Sequence, residues 1–188
     1  MPAIGGLLAF LLLSNAIIGA LPAQATAPAG PEYPVTLTAY NAVAAQTDSD
    51  PLVTASGAYS NPEVVAARSR DLADELPFGT VVAIVGAPTP GNSCGYATVE
   101  PVIGYRVIAD TMNARYTNRI DILFDTKSNY LMPDGSVKNA GTILGICEGA
   151  SIRVVGRIDL SHPNRLPKTQ EELAALVNGN TSAPLSIK

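Results

Sequence analysis

YRVIADTMNARYTNRIDILF, residues 105–124, decides the reading of this chain. Two β-branched, apolar runs, Tyr105–Ala109 and Ile120–Phe124, have strand composition. Each carries an aspartate where a strand ordinarily has none: Asp110 follows Ala109, and Asp121 interrupts Ile120 and Ile122. A carboxylate among buried apolar neighbours is costly unless it is paired or hydrogen-bonded. Two of them at the ends of neighbouring strands predict a shared cleft, in which burial and like charge raise the pKa of one and keep it protonated near neutral pH. The plainer alternative is that each caps a turn or pairs with Arg115 or Arg119.

Working outward, further short strands are expected at Val35–Tyr40, Val64–Ala67, Thr80–Val85 and Ser151–Leu160. A turn is expected at Asp48–Pro51. The stretch between Phe124 and Ser151 has no strong period. Many short strands with turn signals predict a barrel or sandwich. One helix is expected beyond them: Thr169 and Glu172 have capping-box spacing ahead of Leu173–Val177, and Asn178-Gly179 ends it. That helix either packs on the barrel or tails off.

Composition narrows the function classes. The chain has 188 residues, 47% hydrophobic and 15% charged, with a net charge of −4. This make-up can bury a core. No Lys/Arg cluster supplies the positive track that nucleic acid requires. From Ile4 to Leu21 there is no charged residue, and Ala23-Gln24-Ala25 follows as a small-x-small cleavage pattern. Residues 1–25 therefore read as a signal peptide, with Ala27 and Ala29 as alternative cleavage points and an uncleaved membrane anchor as the alternative fate. No Lys or Arg precedes the apolar run, a departure from the usual signal. Residues 26–34 read as a Pro/Ala/Gly linker, 35–160 as the domain and 161–188 as a C-terminal tail with a short helix. Export and an even cysteine count point to a Cys94–Cys147 disulfide, the alternative being two buried thiols. Two Cys and a single His162 at these spacings make no zinc site.

The motifs in order are Thr38-Ala39-Tyr40, Thr54-Ala55-Ser56-Gly57, Val64-Val65-Ala66, Leu76-Pro77-Phe78-Gly79-Thr80, Ala109-Asp110-Thr111 and Asn118-Arg119-Ile120-Asp121. This succession resembles the three-aspartate (3D) domain family and is similar to the catalytic barrel of membrane-bound lytic transglycosylase A. It covers about Val35 to Phe124. The resemblance implies a mainly β chain with a six-stranded double-psi β-barrel, short helices, a flexible N-terminal signal and linker, and a C-terminal helical tail. It implies cleavage of the MurNAc–GlcNAc bond of peptidoglycan strands to a 1,6-anhydro product, with Asp121 as acid/base and Asp110 beside it. The first family aspartate has no direct match in Arg68-Ser69-Arg70-Asp71, and Asp71 is the candidate. Thr38, Tyr40 and Thr54 are candidate donors to the carboxylates and substrate-binding residues. The glycine-rich loop after the family's second aspartate is replaced by Met112-Asn113-Ala114-Arg115-Tyr116, which narrows the expected groove. No metal or organic cofactor is expected. The implied protein is an exported, cell-envelope monomer that meets a membrane only through an uncleaved N-terminal segment. A non-catalytic polysaccharide-binding barrel of expansin or barwin type is the alternative function. An aspartic protease is disfavoured, because Met112 stands where that motif needs glycine. A purely structural envelope protein is the bland reading.

Overall fold

The computed structural model describes residues 30–47, 50–86, 94–162 and 165–179. The signal segment, most of the linker, Asp48 and Ser49 of the expected turn, and the end of the tail lie outside them. Among the described residues no helix is long and apolar enough to cross a membrane.

Six strands close into a barrel: β1 (Glu32–Asn41), β2 (Val65–Arg68), β3 (Thr80–Gly86), β4 (Arg106–Thr111), β5 (Arg119–Phe124) and β8 (Cys147–Arg157). Their order round the barrel is β1-β5-β2-β4-β3-β8. β1 with β5 and β2 with β4 are parallel pairs, and the remaining four pairings are antiparallel. Closure leaves no exposed sheet edge. A two-stranded hairpin, β6 (Asn129–Leu131) and β7 (Val137–Asn139), fills the stretch that has no period in the sequence, followed by the short helix α2 (Ala140–Leu144). Neither element was expected. β6 and β7 have three residues each and α2 has five, too short to establish a hydrophobic repeat. The same holds for α1 (Tyr96–Val99).

Two apolar clusters divide the strand residues by alternation. Leu37, Ala66, Val82, Ile108, Ile120, Ile122 and Ile152 fill the barrel. Tyr40, Val65, Ala67, Val107, Ala109 and Leu123 form a second cluster on the outer wall, covered by Leu166, Leu173 and Val177. The last two belong to α3 (Gln170–Gly179). Thr169 caps it, its Oγ1 accepting from Glu172 N at 3.2 Å, while Glu172 reaches back to Lys168 N at 2.7 Å. A helix of ten residues is marginal by itself. Burial of Leu173 and Val177 contributes about 1.5–3 kcal/mol each. Gln170 adds side-chain bonds to Tyr105 N and O. Of the two fates open to this helix, packing on the barrel is the one observed.

The domain also begins earlier than expected. β1 starts at Glu32, so residues 32–34 of the linker stretch are strand, paired with β8. Glu32 and Arg153 meet across that ladder at 3.0 Å. Cys94 and Cys147 are joined, with Cα atoms 5.2 Å apart, tying the entrance of α1 to the start of β8.

Arg106 stands under the outer wall with 1% of its surface exposed. Its guanidinium donates to five backbone carbonyls, those of Pro62, Val65, Val102, Ile103 and Leu123, at 2.7–3.3 Å. Burial lowers its pKa to about 10, opposed by the charges of Glu63 and Tyr40. The carbonyls supply the solvation that a salt bridge would otherwise provide, and they pin β2, β5 and the turn before β4 together.

Candidate functional site

The groove is built from one row of residues across four neighbouring strands. Thr38 on β1 lies beside Asp121 on β5, Asp121 beside Ala67 on β2, and Ala67 beside Asp110 on β4. Residues level with one another in a ladder share a face. Here it is the outer face, because Ile120 and Ile122 on either side of Asp121 point into the barrel. The two aspartates are therefore not on adjacent strands, as the sequence suggests, but one strand apart. β2 enters between them because it pairs parallel with β4 and antiparallel with β5.

Asp110 reaches this row through a β-bulge. Strict alternation from Val107 (out), Ile108 (in) and Ala109 (out) would turn Asp110 inward. The register shifts between Ala66 and Ala67, so that Ala66 pairs with Ile108 but Ala67 pairs with Asp110. The extra residue re-aims the side chain, a common use of bulges beside sites.

Each carboxylate has its own donors. Thr38 Oγ1 donates to Asp121 Oδ1 at 2.7 Å. Asp110 accepts from the Tyr40 hydroxyl at 2.9 Å, from Ala55 N at 2.9 Å and from Thr111 N at 2.8 Å. Burial raises the Asp121 pKa to about 6, assisted by the like charge of Asp110 and opposed by the Thr38 hydrogen bond and the Arg119 charge. Burial also pushes the Tyr40 phenol well above its ordinary value, and the charge of Asp110 and the bond to it push further.

The groove has a volume of about 690 Å³, with both aspartates and Ala67 among its lining residues. Arg70, Arg115 and Tyr116 line it too, as do Met112 and Asn113 of the loop that replaces the glycine-rich segment.

Two expected site residues take other positions. Thr54 is buried, and its hydroxyl bonds Ala58 O at 3.1 Å and Ser56 Oγ at 3.0 Å, so it touches neither carboxylate. Its contribution is the turn at 54–58. Gly57, at φ 82°, allows that turn, which presents Ala55 N to Asp110. Asp71 is exposed and does not line the groove. It accepts from Asn118 N at 2.8 Å, which braces Asn118 at φ 51°. Its pKa is held low by the Ser69 hydroxyl first and also by the Asn118 amide. Ser69 Oγ in turn accepts from Arg119 N at 3.0 Å. Asp71 thus fixes the entrance to β5, three residues before Asp121. Three groups that the sequence reading did not single out also belong to the site. Ala67 was hidden in an apolar run, the Ala55 amide is backbone, and Arg70 carries no motif.

Among the described residues no cluster of His, Cys, Asp and Glu has the composition of a metal site. No protein-family model matches the chain, and no curated protein matches it. Function is therefore read from the groove itself.

Proposed function

We propose that this protein is a peptidoglycan-active enzyme of the lytic transglycosylase type, cleaving the MurNAc–GlcNAc glycosidic bond with Asp121 as its single acid/base. The observation that carries this reading is a half-buried carboxyl with a pKa of about 6, opening into a groove large enough for sugar rings. A carboxyl poised there exists in both protonation states near neutral pH, which a group that gives and then takes a proton requires.

In the proposed reaction, protonated Asp121 gives its proton to the glycosidic oxygen as the bond to the anomeric carbon breaks. The resulting carboxylate takes the proton of the MurNAc C6 hydroxyl, whose oxygen attacks the same anomeric carbon. The products are a 1,6-anhydro sugar and a free hydroxyl on the leaving sugar, and no water is consumed. Thr38 orients Asp121. Asp110 is a positioning residue: with three protein donors on its two oxygens it is poorly placed to activate a water molecule, and its charge raises the affinity of Asp121 for a proton. This favours the anhydro route over hydrolysis by two working carboxylates.

Two parallel pairs in an otherwise antiparallel closed barrel support the double-psi reading of the fold and the resemblance to the 3D family. Export to the cell envelope and action as a monomer belong to the same proposal. The test is incubation of the purified protein with sacculi and mass spectrometry of the released fragments. 1,6-Anhydro ends are expected. Reducing ends bearing an added water would indicate hydrolysis, and binding with no release would favour the non-catalytic barrel.

A further inference from the structure

The chain carries a net charge of −4, and the floor of the groove holds two carboxylates. Its rim nevertheless presents two guanidiniums, Arg70 and Arg115, both exposed and both lining the cavity. The ion pairs among the described residues are Arg153–Glu32 and Arg165–Asp159, and neither rim arginine takes part in them.

The rim is a braced structure. Met112 N donates to Arg68 O at 2.9 Å, and Asn118 N donates to Asp71 Oδ2 at 2.8 Å. The segment with Arg70 and the loop with Arg115 are thus stitched together at both ends. Within the loop, Arg115 N donates to Asn113 Oδ1 at 3.1 Å, and Tyr116 N to Asn113 O at 3.0 Å. The Arg115 guanidinium lies 4.7 Å from the centre of the Tyr116 ring and donates to its hydroxyl at 2.8 Å. Arg119 stacks on the same ring at 5.0 Å. An arginine held this way has lost much of its rotamer freedom before a ligand arrives and keeps further N–H donors to offer.

From this arrangement we infer that Arg70 and Arg115 form a carboxylate-recognition site, selecting a glycan that bears an acidic substituent next to the bond held over Asp121. The inference rests on the proposed action on glycans and adds the substituent that decides which glycan is taken. A neutral sugar needs no such pair. An acidic sugar entering over Asp110 and Asp121 would be repelled, and two guanidiniums at the rim, that of Arg115 held against Tyr116, reverse that sign. Their planar forks match a carboxylate in two-pronged geometry. In an alternating MurNAc–GlcNAc strand the carboxylate comes either from the ether-linked lactyl group or from an attached peptide stem.

The experiment measures binding, with Asp121→Asn as the background so that cleavage does not consume the ligand. Four probes of equal sugar length are used: peptide-free MurNAc–GlcNAc oligomers, the same oligomers with carboxyls converted to primary amides, oligomers retaining their peptide stems, and N-acetylglucosamine oligomers. On that background the peptide-free acidic oligomer is expected to bind about 10- to 100-fold more tightly than its amide or the neutral oligomer. Adding Arg70→Gln and Arg115→Gln is expected to erase that difference while leaving the weaker binding of the neutral oligomer in place. If only the stem-bearing oligomers show the arginine-dependent gain, the recognised carboxylate is that of the peptide. Equal affinity for acid and amide with no arginine-dependent gain from the peptide stems, or a loss in the arginine variants that is the same for the neutral oligomer, overturns the inference and leaves the cleavage proposal standing. Arginine-dependent binding by a wild type that releases no product supports the inference and overturns cleavage. Absence of binding to all four probes overturns both.

Discussion

Asp110 and Asp121 face one groove from either side of Ala67, each level with it in the sheet. A methyl group is all that β2 places between the two carboxylates. Ala67 lines the groove and is 3% exposed, so its Cβ is packed among its neighbours and leaves no room for a larger side chain beneath the floor.

Ala67→Leu is therefore expected to obstruct the groove. Overpacking of this kind costs about 1–3 kcal/mol of folding stability, and a leucine that relieves it by projecting into the groove is expected to lower sacculus binding and cleavage. Circular dichroism and the thermal midpoint check that the barrel survives. Undiminished cleavage by a folded Ala67→Leu protein would remove Ala67 from the floor of the site.

The pH dependence of cleavage reports on the neighbours of Asp121. Thr38 lowers the Asp121 pKa by hydrogen bonding to the charged form, so Thr38→Val is expected to raise it above about 6. The loss of one such bond moves a pKa by roughly one unit. The alkaline limb of the kcat/KM profile moves up accordingly, and Arg119→Gln shifts it in the same direction. Asp110→Asn removes a like charge and shifts the limb down, by less, since that charge is the smallest of the causes. A Thr38→Val profile that stays in place or moves toward acid would break the link between Asp121 and the profile.

Much of the barrel can be read in the sequence, and the reasons are specific. Ile120, Ile122 and Phe124 alternate with Asp121 and Leu123, and that period of two sets which face is which. Val35–Tyr40, Thr80–Val85 and Tyr105–Ala109 likewise fall within or beside β1, β3 and β4. The hairpin and the helices α1 and α2 are too short to carry a period. The site is legible only in part. Thr38 and Tyr40 do bond the carboxylates, but a bulge in β4 decides the face on which Asp110 stands, and no residue type in Val107–Asp110 announces it. Asp71 and Thr54 are polar residues in the expected places whose bonds go elsewhere, Asp71 to the loop at Asn118 and Thr54 to its own turn at Ser56 and Ala58. The Asp71 bond depends on which loops meet in space. Arg106 reads in sequence as an ordinary strand-edge arginine, yet it is buried under five carbonyls, three of them, Pro62, Val65 and Leu123, from segments far along the chain.

A carboxyl with a raised pKa also leaves a mark on stability. Asp121 has an ordinary value of 3.8 and a folded value of about 6. Below pH 3.8 the group is protonated in both folded and unfolded chains and costs nothing. As pH rises toward 6 the unfolded chain has lost its proton and the folded one has not, so stability falls, and above 6 the cost is complete. The full cost at pH 7 is on the order of 2–3 kcal/mol. Asp121→Asn is expected to recover part of it, raising the thermal midpoint at pH 7 and losing that advantage at pH 4. An advantage that is equal at both pH values would mean that the folded carboxyl titrates normally.

The most direct measurement is release of 1,6-anhydro-MurNAc products from purified sacculi by the wild-type protein and by Asp121→Asn, compared at pH 6. Asparagine keeps the size of the side chain and its bond with Thr38 but has no proton to give. The wild type is expected to release anhydro products, and Asp121→Asn to release them about 10²–10⁴-fold more slowly, the usual contribution of an acid/base, while remaining folded and still binding sacculi. Wild-type rates from a folded Asp121→Asn protein, or no anhydro product from the wild type at any pH between 5 and 7, would contradict the assignment of Asp121.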